Sequence, residues 1–280
     1  MAANASQRGV ALAIVVWFLA AMSLLVSGIV FQARVDTRMA QLHAAKAKAV
    51  AAGDGAIQLM LANLQSGNPD VFDPAHRLPQ MDFEIGDYPV TVKLVPVAGL
   101  IDLNGAPVDI LALLFTARGG LDDADAQFLA GSVLKWRSGS GRKQAGSARF
   151  AAIEDLLRVE GVSRTLLDGI RDSVAVSATG HGGLDWSVAP SSVFDILALK
   201  NPGRALSMLN EFEKRSGEGN KNSRLGAVDS YRLDAIVNVG DQQWLRRRWA
   251  SSGKTTGGLP WQFVRTEAPR VFLGAASDES

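Results

Sequence analysis

A lysine near the C-terminus lies in the most recognisable chemical motif of this sequence. Residues 252–255 read Ser-Gly-Lys-Thr, the ending of a loop in which backbone amides and a lysine hold phosphate groups. The first glycine of such a loop would fall at position 248, which is Arg248, and residues 257–260 read Gly-Gly-Leu-Pro instead of starting a helix. Without the amide cradle and the helix N-terminus, we expect Lys254 to be a loop lysine and not a nucleotide ligand.

Acidic and histidine side chains could hold a metal ion, because calcium takes carboxylate oxygens and transition metals take imidazole nitrogens. Asp122, Asp123 and Asp125 lie close together, but they directly precede an apolar-periodic segment over 128–134, where acids favour a helix start. No second histidine stands at ligand spacing from His43, His76 or His181. No serine has the setting of an activated nucleophile. These residues predict a helix start and packing roles, with no catalytic residue, no metal site and no cofactor.

The segment 157–163 resembles a helix–hairpin–helix element, in which a Gly-x-Gly turn presents amides to a nucleic-acid phosphate. Gly161 is present, but the second glycine position holds Ser163. Residues 135–172 carry eight basic and five interleaved acidic side chains, whereas nucleic-acid binding needs several uncompensated basic contacts. A packing role is favoured and no nucleic-acid partner is expected, with nucleic-acid binding through this element kept as the alternative function.

The beginning of the chain could anchor it in a membrane. The 280 residues have a formal net charge of +1 and no cysteine, which excludes disulfides and thiolate sites. From Val10 to Phe31 there is no charge, and a helix of that length spans about 33 Å, the thickness of a bilayer core. Arg8 before the span favours a cytoplasmic N-terminus, although Arg34 and Arg38 follow the span. We expect a single-pass anchor with the remainder of the chain outside the cytoplasmic membrane.

An amphipathic helix continues the span. Apolar residues recur at spacings of three and four between Val35 and Leu64, so residues 10–66 are predicted to form one helix, half in lipid and half packed on a domain. Gly53 should be a weak point within it, because glycine is a poor helix former. Residues 66–69, Ser-Gly-Asn-Pro, should end it.

Strand patterns lie on both sides of a central helical region. Alternation over 81–97 with a turn at Gly86-Asp87 predicts one hairpin. Alternation over 231–249 with a turn at Gly240-Asp241 predicts a second hairpin, and a last short strand covers 261–264. The central region between the two hairpins is predicted to be helical and rich in loops.

The resulting fold class is α+β: a long N-terminal transmembrane and amphipathic helix packed on an antiparallel sheet, with a large all-helical insertion. The sheet is assigned to 67–98 and 226–280, and the inserted domain to 99–225. In the second hairpin, Arg246-Arg247-Arg248 lies between two tryptophans and is predicted to be a solvated strand face with the rings turned inward.

The insertion contains an internal repeat. Segments 102–107 and 185–190 match at a constant offset of 83 residues, each with an aspartate, an Ala-Pro pair and apolar residues at the same positions after the proline. Asn104 and Ser187 are expected to cap a helix, with each proline near the first turn. The favoured interpretation is two related helical units, similar to SAM or helix–hairpin–helix domains, and two unrelated helix starts are the alternative.

The leader resembles the processing site of a type IV prepilin, carried by residues 7–12, Gln-Arg-Gly-Val-Ala-Leu. In that family a membrane peptidase cuts after the glycine, here Gly9, and methylates the new N-terminus, here Val10. Most such subunits carry Glu at the fifth mature position, where this chain has Ile14. This exception, together with the helix-start repeat and the second hairpin, is similar to the general secretion pathway K family, the large minor pseudopilins of type II secretion.

The resemblance implies a prepilin leader over 1–9, a membrane helix over 10–66 and a pseudopilin sheet carrying the insertion. It also implies a non-enzymatic subunit at the tip of a periplasmic pseudopilus, which helps to start its assembly and protein export. The implied partners are other minor pseudopilins, the prepilin peptidase and the inner membrane, with the C-terminal domain in the periplasm. A membrane-anchored periplasmic nucleic-acid-binding protein is the alternative.

One departure from the family concerns calcium. Relatives often carry an acidic calcium-binding run after a tryptophan, but residues 134–141 here read Leu-Lys-Trp-Arg-Ser-Gly-Ser-Gly. Because the carboxylates are missing, the resemblance implies no calcium site at this position.

Overall fold

A long helix, an antiparallel sheet and a group of shorter helices make up the protein. The computed structural model describes residues 6–72, 78–139, 149–177, 183–216, 230–252 and 260–272. In chain order its α-helices are α1 (Ser6–Ser66), α2 (Val108–Ala117), α3 (Asp123–Arg137), α4 (Arg164–Ile170), α5 (Ser191–Lys200) and α6 (Pro202–Ser216). Its strands are β1 (Gln80–Ile85), β2 (Tyr88–Pro96), β3 (Ile101–Asp102), β4 (Val174–Ala175), β5 (Ser230–Val239), β6 (Gln242–Ser252), β7 (Trp261–Thr266) and β8 (Arg270–Val271). Short 3-10 helices cover Pro69–Phe72, Val97–Gly99, Ile153–Arg158 and Trp186–Val188.

Helix α1 contains the whole of the predicted segment 10–66 and ends at the predicted residue. Gly67 has a φ of +70°, which glycine adopts without strain, and its amide donates to the Leu64 carbonyl over 3.3 Å. Every residue from 11 to 44 is exposed, whereas from Ala49 onward one side of the helix is buried. Within the described residues, this is the one helix long and apolar enough to cross a membrane, and its apolar window makes no packing contact with the protein.

The main sheet is antiparallel throughout and runs in the order β1-β2-β5-β6-β7, with β8 paired to the remaining length of β6. Both predicted hairpins form, with Gly86 and Gly240 at φ of +62° and +59° in two-residue turns, where positive φ suits the twist of the strands. One sheet face packs against the second half of α1. The core between them is lined by Ala52, Ala56, Ile57, Met60, Val92, Leu94, Leu233, Ala235 and Val237.

The inserted segment between β2 and β5 has its own apolar core. Helix α2 packs against α3, α4 and α5, while α5 also packs on α6. Val95 and Trp249, which belong to the sheet, are part of the same buried cluster, so the insertion lies against the sheet. The predicted α+β architecture is confirmed in its main features, a long helix, an antiparallel sheet and an inserted group of helices.

The expectation of an all-helical insertion is corrected by a short parallel pair of strands. β3 pairs with β4 through Ile101 with Val174 and Asp102 with Ala175. The amides of Ile101 and Leu103 donate to carbonyls on the partner segment over 3.0 and 2.9 Å. Ile101, Leu103, Val174 and Ala175 are buried, so the backbone groups of these segments need partners inside the protein, and each segment supplies them to the other.

The two repeat segments share an aspartate-centred turn but lack the predicted caps. Asp102 accepts from the amide of Asn104 over 3.0 Å, and Asp185 accepts from the amide of Ser187 over 2.9 Å. The helices that follow, α2 and α5, begin only after the prolines, so neither Asn104 nor Ser187 reaches their first amides. Asn104 instead connects three segments through its side-chain amide. Its Nδ2 donates to the carbonyls of Phe150 and Ser177, and its Oδ1 accepts from the Phe150 amide.

Gly53 is not the weak point that the sequence suggested. A side chain at this position would place its Cβ 2.7 Å from Cβ of Arg246 and 3.3 Å from a methyl group of Val237. The absence of a side chain is therefore what lets α1 approach β5 and β6 closely. Local helix propensity is outweighed here by packing between the helix and the sheet.

Candidate functional site

The candidate processing site lies at the free end of α1. Gly9, Val10 and Ile14 all lie within this helix, and Ile14 is 63% exposed. Four residues of helix rise about 6 Å, so Ile14 lies about one turn beyond Val10, the residue after the predicted cut. The fold brings these residues together on one element, and their roles in processing and assembly stay predictions.

The free part of α1 is longer than a membrane span. The first side chain with partial burial is Ala45, fourteen residues beyond Phe31 at the end of the apolar run. That stretch of helix rises about 21 Å. If Phe31 lies at the membrane surface, this helical segment separates the sheet from the membrane.

A cluster of charged groups fixes α1 on the sheet. Arg246 of β6 donates from Nε and Nη2 to the two carboxylate oxygens of Asp54 over 2.9 and 3.1 Å. Nη1 of Arg248 lies 3.5 Å from the same carboxylate, and its guanidinium carbon lies 3.4 Å above the ring centre of Phe263. Burial lowers the pKa of Arg248, and Asp54 opposes that effect. Two side chains of the arginine run therefore face α1.

The third arginine of the run faces the insertion. Arg247 donates from Nε and Nη2 to the carboxylate of Asp234 over 2.6 and 3.0 Å, and from Nη1 to Asp172 over 2.6 Å. Arg232 lies 3.0 Å from the Asp234 carboxylate and donates to the Asp172 carbonyl over 2.7 Å. Arg270 donates to the Asp172 carboxylate over 2.6 Å. We call Asp172, Arg232, Asp234, Arg247 and Arg270 the junction cluster.

The junction cluster connects the sheet to the insertion through buried charges. Only Asp172 belongs to the insertion, where it follows α4, and the other members lie on β5, β6 and β8. The side chains of Arg232, Asp234 and Arg247 are 5%, 11% and 4% exposed. Asp172, the member from the insertion, is 46% exposed, so the contact joins a half-exposed carboxylate of the insertion to the arginines of the sheet.

Opposite charges in the junction cluster favour ionisation of Asp172, Asp234 and Arg247. Burial would raise the pKa of Asp234, but Arg232 and Arg247 outweigh it and hold this pKa below its ordinary value. Burial also opposes ionisation of Asp172, whose pKa Arg247 and Arg270 hold well below the ordinary range. Burial lowers the pKa of Arg232, with repulsion from Arg247 adding to it, whereas Asp234 and Asp172 more than offset burial at Arg247 and raise its pKa. Both carboxyls are therefore ionised at neutral pH.

The prediction that Arg246-Arg247-Arg248 forms a solvated strand face is wrong. The two-residue turn at Gly240-Asp241 sets a register that pairs Arg247 with Asp234, so the opposite charge across the hairpin was readable in the sequence. The contact of Asp172 with Arg247 could not be predicted from the sequence, because the two residues lie 75 positions apart in the chain. The run faces α1 on one side and the insertion on the other.

The acidic triplet and the tryptophan segment have structural roles. Asp122 caps α3 by accepting from the Asp125 amide over 2.8 Å, which confirms the predicted helix start. Trp136 stacks on Phe150 with ring centres 6.3 Å apart, and Arg137 donates to the Ala106 carbonyl over 2.8 Å. Across the described ranges, no group of three or more His, Asp or Glu could hold a metal ion.

The glycine turn at 161 has the geometry of a packed turn. Gly161 adopts a φ of +92°, and the Ser163 hydroxyl accepts from the Leu166 amide over 3.1 Å, capping α4. A 3-10 helix stands before the turn, in place of the first α-helix of a helix–hairpin–helix element. The Ser163 hydroxyl is therefore engaged as the cap of α4. Lys254, His76 and His181 lie outside the described residues.

Comparison with known proteins finds similarity at the level of structure. No family model matches the sequence, and no curated protein matches it either. The chain is similar to one in "The Crystal Structure of the GspK-GspI-GspJ complex from enterotoxigenic Escherichia coli Type 2 Secretion System", at 13% identity and a TM-score of 0.47. The alignment covers 85% of this chain and 99% of that chain. A likeness of this size concerns the course of the backbone, and no function follows from it.

Proposed function

We propose that this chain is a non-enzymatic minor pseudopilin at the tip of a type II secretion pseudopilus, where it helps to start assembly and protein export across the outer membrane. The observation that carries the proposal is α1, exposed on all sides over 11–44 and then packed on a sheet through its second half. A helix of this form can anchor a subunit in the inner membrane and later pack against neighbouring helices in a filament.

The N-terminal residues support the same proposal. Cleavage after Gly9 would make Val10 the mature, methylated N-terminus and leave the apolar run intact. Ile14 then stands where most pilin-like subunits carry a glutamate that pairs with a neighbour's terminal amine within lipid. Because Ile14 offers no carboxylate, the subunit has no partner for a further amine, and it is suited to an end of the filament.

The insertion supports a terminal position by its bulk. It is held to the sheet by the junction cluster and by the apolar contacts of Val95 and Trp249. A rigidly attached group of helices can obstruct the addition of a further subunit on that side of the sheet. Partners of the chain would then be the smaller minor pseudopilins, the prepilin peptidase and the inner membrane, with the C-terminal domain in the periplasm.

Processing of the leader tests the proposal directly. The full chain is expressed with and without a prepilin peptidase, and the mass of its N-terminal peptide is measured. We expect the peptidase to yield a chain that starts at Val10, and Gly9→Val to block this cleavage because the β-branched side chain replaces the glycine at the cut.

Gly28→Val is the matched control, since Gly28 lies farther along the same helix with no atom within 4 Å of an added Cβ. This variant should be processed like the wild type. An intact Met1 form of the wild type in the presence of an active peptidase would contradict the proposal.

A further inference from the structure

We propose that Arg34 and Arg38 form a binding site for the phosphate group of an anionic phospholipid, at the membrane face where α1 leaves the bilayer. The inference rests on the membrane anchoring in the proposed function. It concerns two arginines that neither the processing site nor the sheet uses.

The two arginines lie at the right height for lipid headgroups. Along the helix axis, Arg34 and Arg38 stand about 5 and 10 Å beyond Phe31, the last residue of the apolar run. The polar layer on each side of a bilayer is about 5–8 Å thick, and an arginine side chain reaches back by several Å. Both guanidinium groups can therefore reach the same phosphate layer.

The two arginines share one side of the helix and have no acidic partner. Residues four apart are neighbours on a helix surface, so Arg34 and Arg38 can address one ligand together. Asp36 lies roughly opposite them around the helix and accepts from the Gln32 side chain over 3.0 Å. Both arginines are exposed, and neither forms an ion pair with any residue in the described part of the chain.

The chemistry of the pair selects phosphate on a lipid. A guanidinium binds phosphate oxygens through two parallel hydrogen bonds, and two guanidiniums can share one diester. Positive residues beyond the far end of a span also oppose the usual charge bias that places the N-terminus inside. Contact with anionic headgroups offsets that opposition, because each basic residue near an anionic surface gains about fivefold in association.

A tryptophan at position 31 supplies a reporter for this proposal, because Phe31 is 69% exposed at the end of the apolar run and lies three residues before Arg34. Trp17 lies about 25 Å from Arg34 along the helix, in the other half of the span, and the remaining tryptophans belong to the sheet and the insertion. Every chain named below, the wild type included, is therefore made in the background Trp17→Phe/Phe31→Trp. The full chain is reconstituted in phosphatidylcholine vesicles that contain a small fraction of either brominated phosphatidylglycerol or brominated phosphatidylcholine. Bromine quenches only tryptophans in contact with acyl chains, so the ratio of the two quenching curves measures preference for the anionic lipid at the helix.

We expect the wild type to prefer the brominated anionic lipid by about fivefold to 25-fold at low salt, since each of the two arginines contributes up to about fivefold. In Arg34→Gln/Arg38→Gln the ratio should fall to about one, and Arg34→Lys/Arg38→Lys should keep part of the preference through charge alone. Lys46→Gln is the matched control, because Lys46 is an exposed cation on the same helix about 18 Å beyond Arg34. That variant should keep the wild-type ratio.

The outcomes separate this inference from the proposed function. Equal quenching of the wild type by both lipids would overturn the lipid site and leave the membrane anchor intact. Absence of quenching by either lipid would mean that position 31 is outside the bilayer, and the proposed function would fail with the inference. Inorganic phosphate should lower the ratio no more than sodium chloride at equal ionic strength, and a larger effect would show a site for free phosphate instead.

Discussion

At the scale of single residues, Gly53 shows how packing against a neighbouring strand can make glycine more stable than alanine within a helix. Replacement by alanine improves helix propensity by about 1 kcal/mol, but its methyl group would lie 2.7 Å from Cβ of Arg246. Overpacking of this kind costs about 1–3 kcal/mol, and a Cβ cannot rotate out of the way as the end of a side chain can. We expect Gly53→Ala to lower the free energy of unfolding by up to about 2 kcal/mol, the overpacking cost less the propensity gain, measured by urea unfolding of the full chain in detergent.

Gly131 offers the comparison for this prediction. It lies in α3, is exposed, and has no atom within 4 Å of an added Cβ. Gly131→Ala should therefore gain about 0.5–1 kcal/mol from propensity alone. Equal stabilisation by both substitutions would show that α1 and β6 are not closely packed at Gly53.

At the scale of elements, the junction cluster places buried charges where the sheet meets the insertion. Asp234→Asn keeps the shape of the side chain but removes the buried carboxylate that Arg232 and Arg247 share, which leaves Arg247 with Asp172 alone among the cluster's carboxylates. Breaking such a pair from one side costs about 3–5 kcal/mol, and we expect that loss in the free energy of unfolding at pH 7. Asp109→Asn should cost less than about 1 kcal/mol, because the Asp109–Lys200 pair is exposed at both ends.

The pH dependence of the same pair of proteins checks the electrostatic origin of the loss. The pKa of Asp234 is lower in the folded chain than in the unfolded chain. Its contribution is therefore complete above the unfolded value of about 3.9 and is lost as the pH falls through the folded value. The difference between wild type and Asp234→Asn should be constant from pH 7 to about 5 and should narrow below about 4. A difference that stayed constant at pH 3 would point to lost packing instead.

Local signals predicted the hairpins and the end of α1 because each depends on adjacent residues. The turn at Gly240-Asp241 fixes the register of β5 and β6, and Gly67 supplies the positive φ that ends α1. The caps of the repeat were mispredicted, since the aspartates two residues earlier hold Asn104 and Ser187 in turns of their own. Asx turns and helix caps use the same residue types, so the sequence alone could not separate them.

At the scale of the whole molecule, contacts between segments far apart in the chain could not be predicted from the sequence. The approach of α1 to β6 at Gly53 and the approach of Asp172 to Arg247 each join segments far apart in the chain. No periodicity or turn signal encodes such a contact, because it depends on how three layers stack. Composition does predict that the first half of α1 is apolar on all sides and that the second half is amphipathic, because both patterns lie in one continuous segment of the sequence.

Ile14 connects the molecule to its proposed place in a filament. Ile14→Glu would put a carboxylate into the apolar span, at a cost of about 3 kcal/mol unless an amine pairs with it. At a filament tip no subunit lies beyond to supply that amine. We expect Ile14→Glu to reduce both the number of pseudopili and the co-purification of the smaller minor pseudopilins by about tenfold or more.

The control for Ile14→Glu must keep the apolar character of the position, and Ile14→Val does so with the loss of a single methylene. This variant should assemble like the wild type, and both variants should appear in the membrane fraction with an N-terminus at Val10. That measurement separates a failure of assembly from a failure of insertion or cleavage. If Ile14→Glu is processed, inserted and still assembles in normal amounts, the missing carboxylate does not define the tip, and the end position would have to rest on the bulk of the insertion alone.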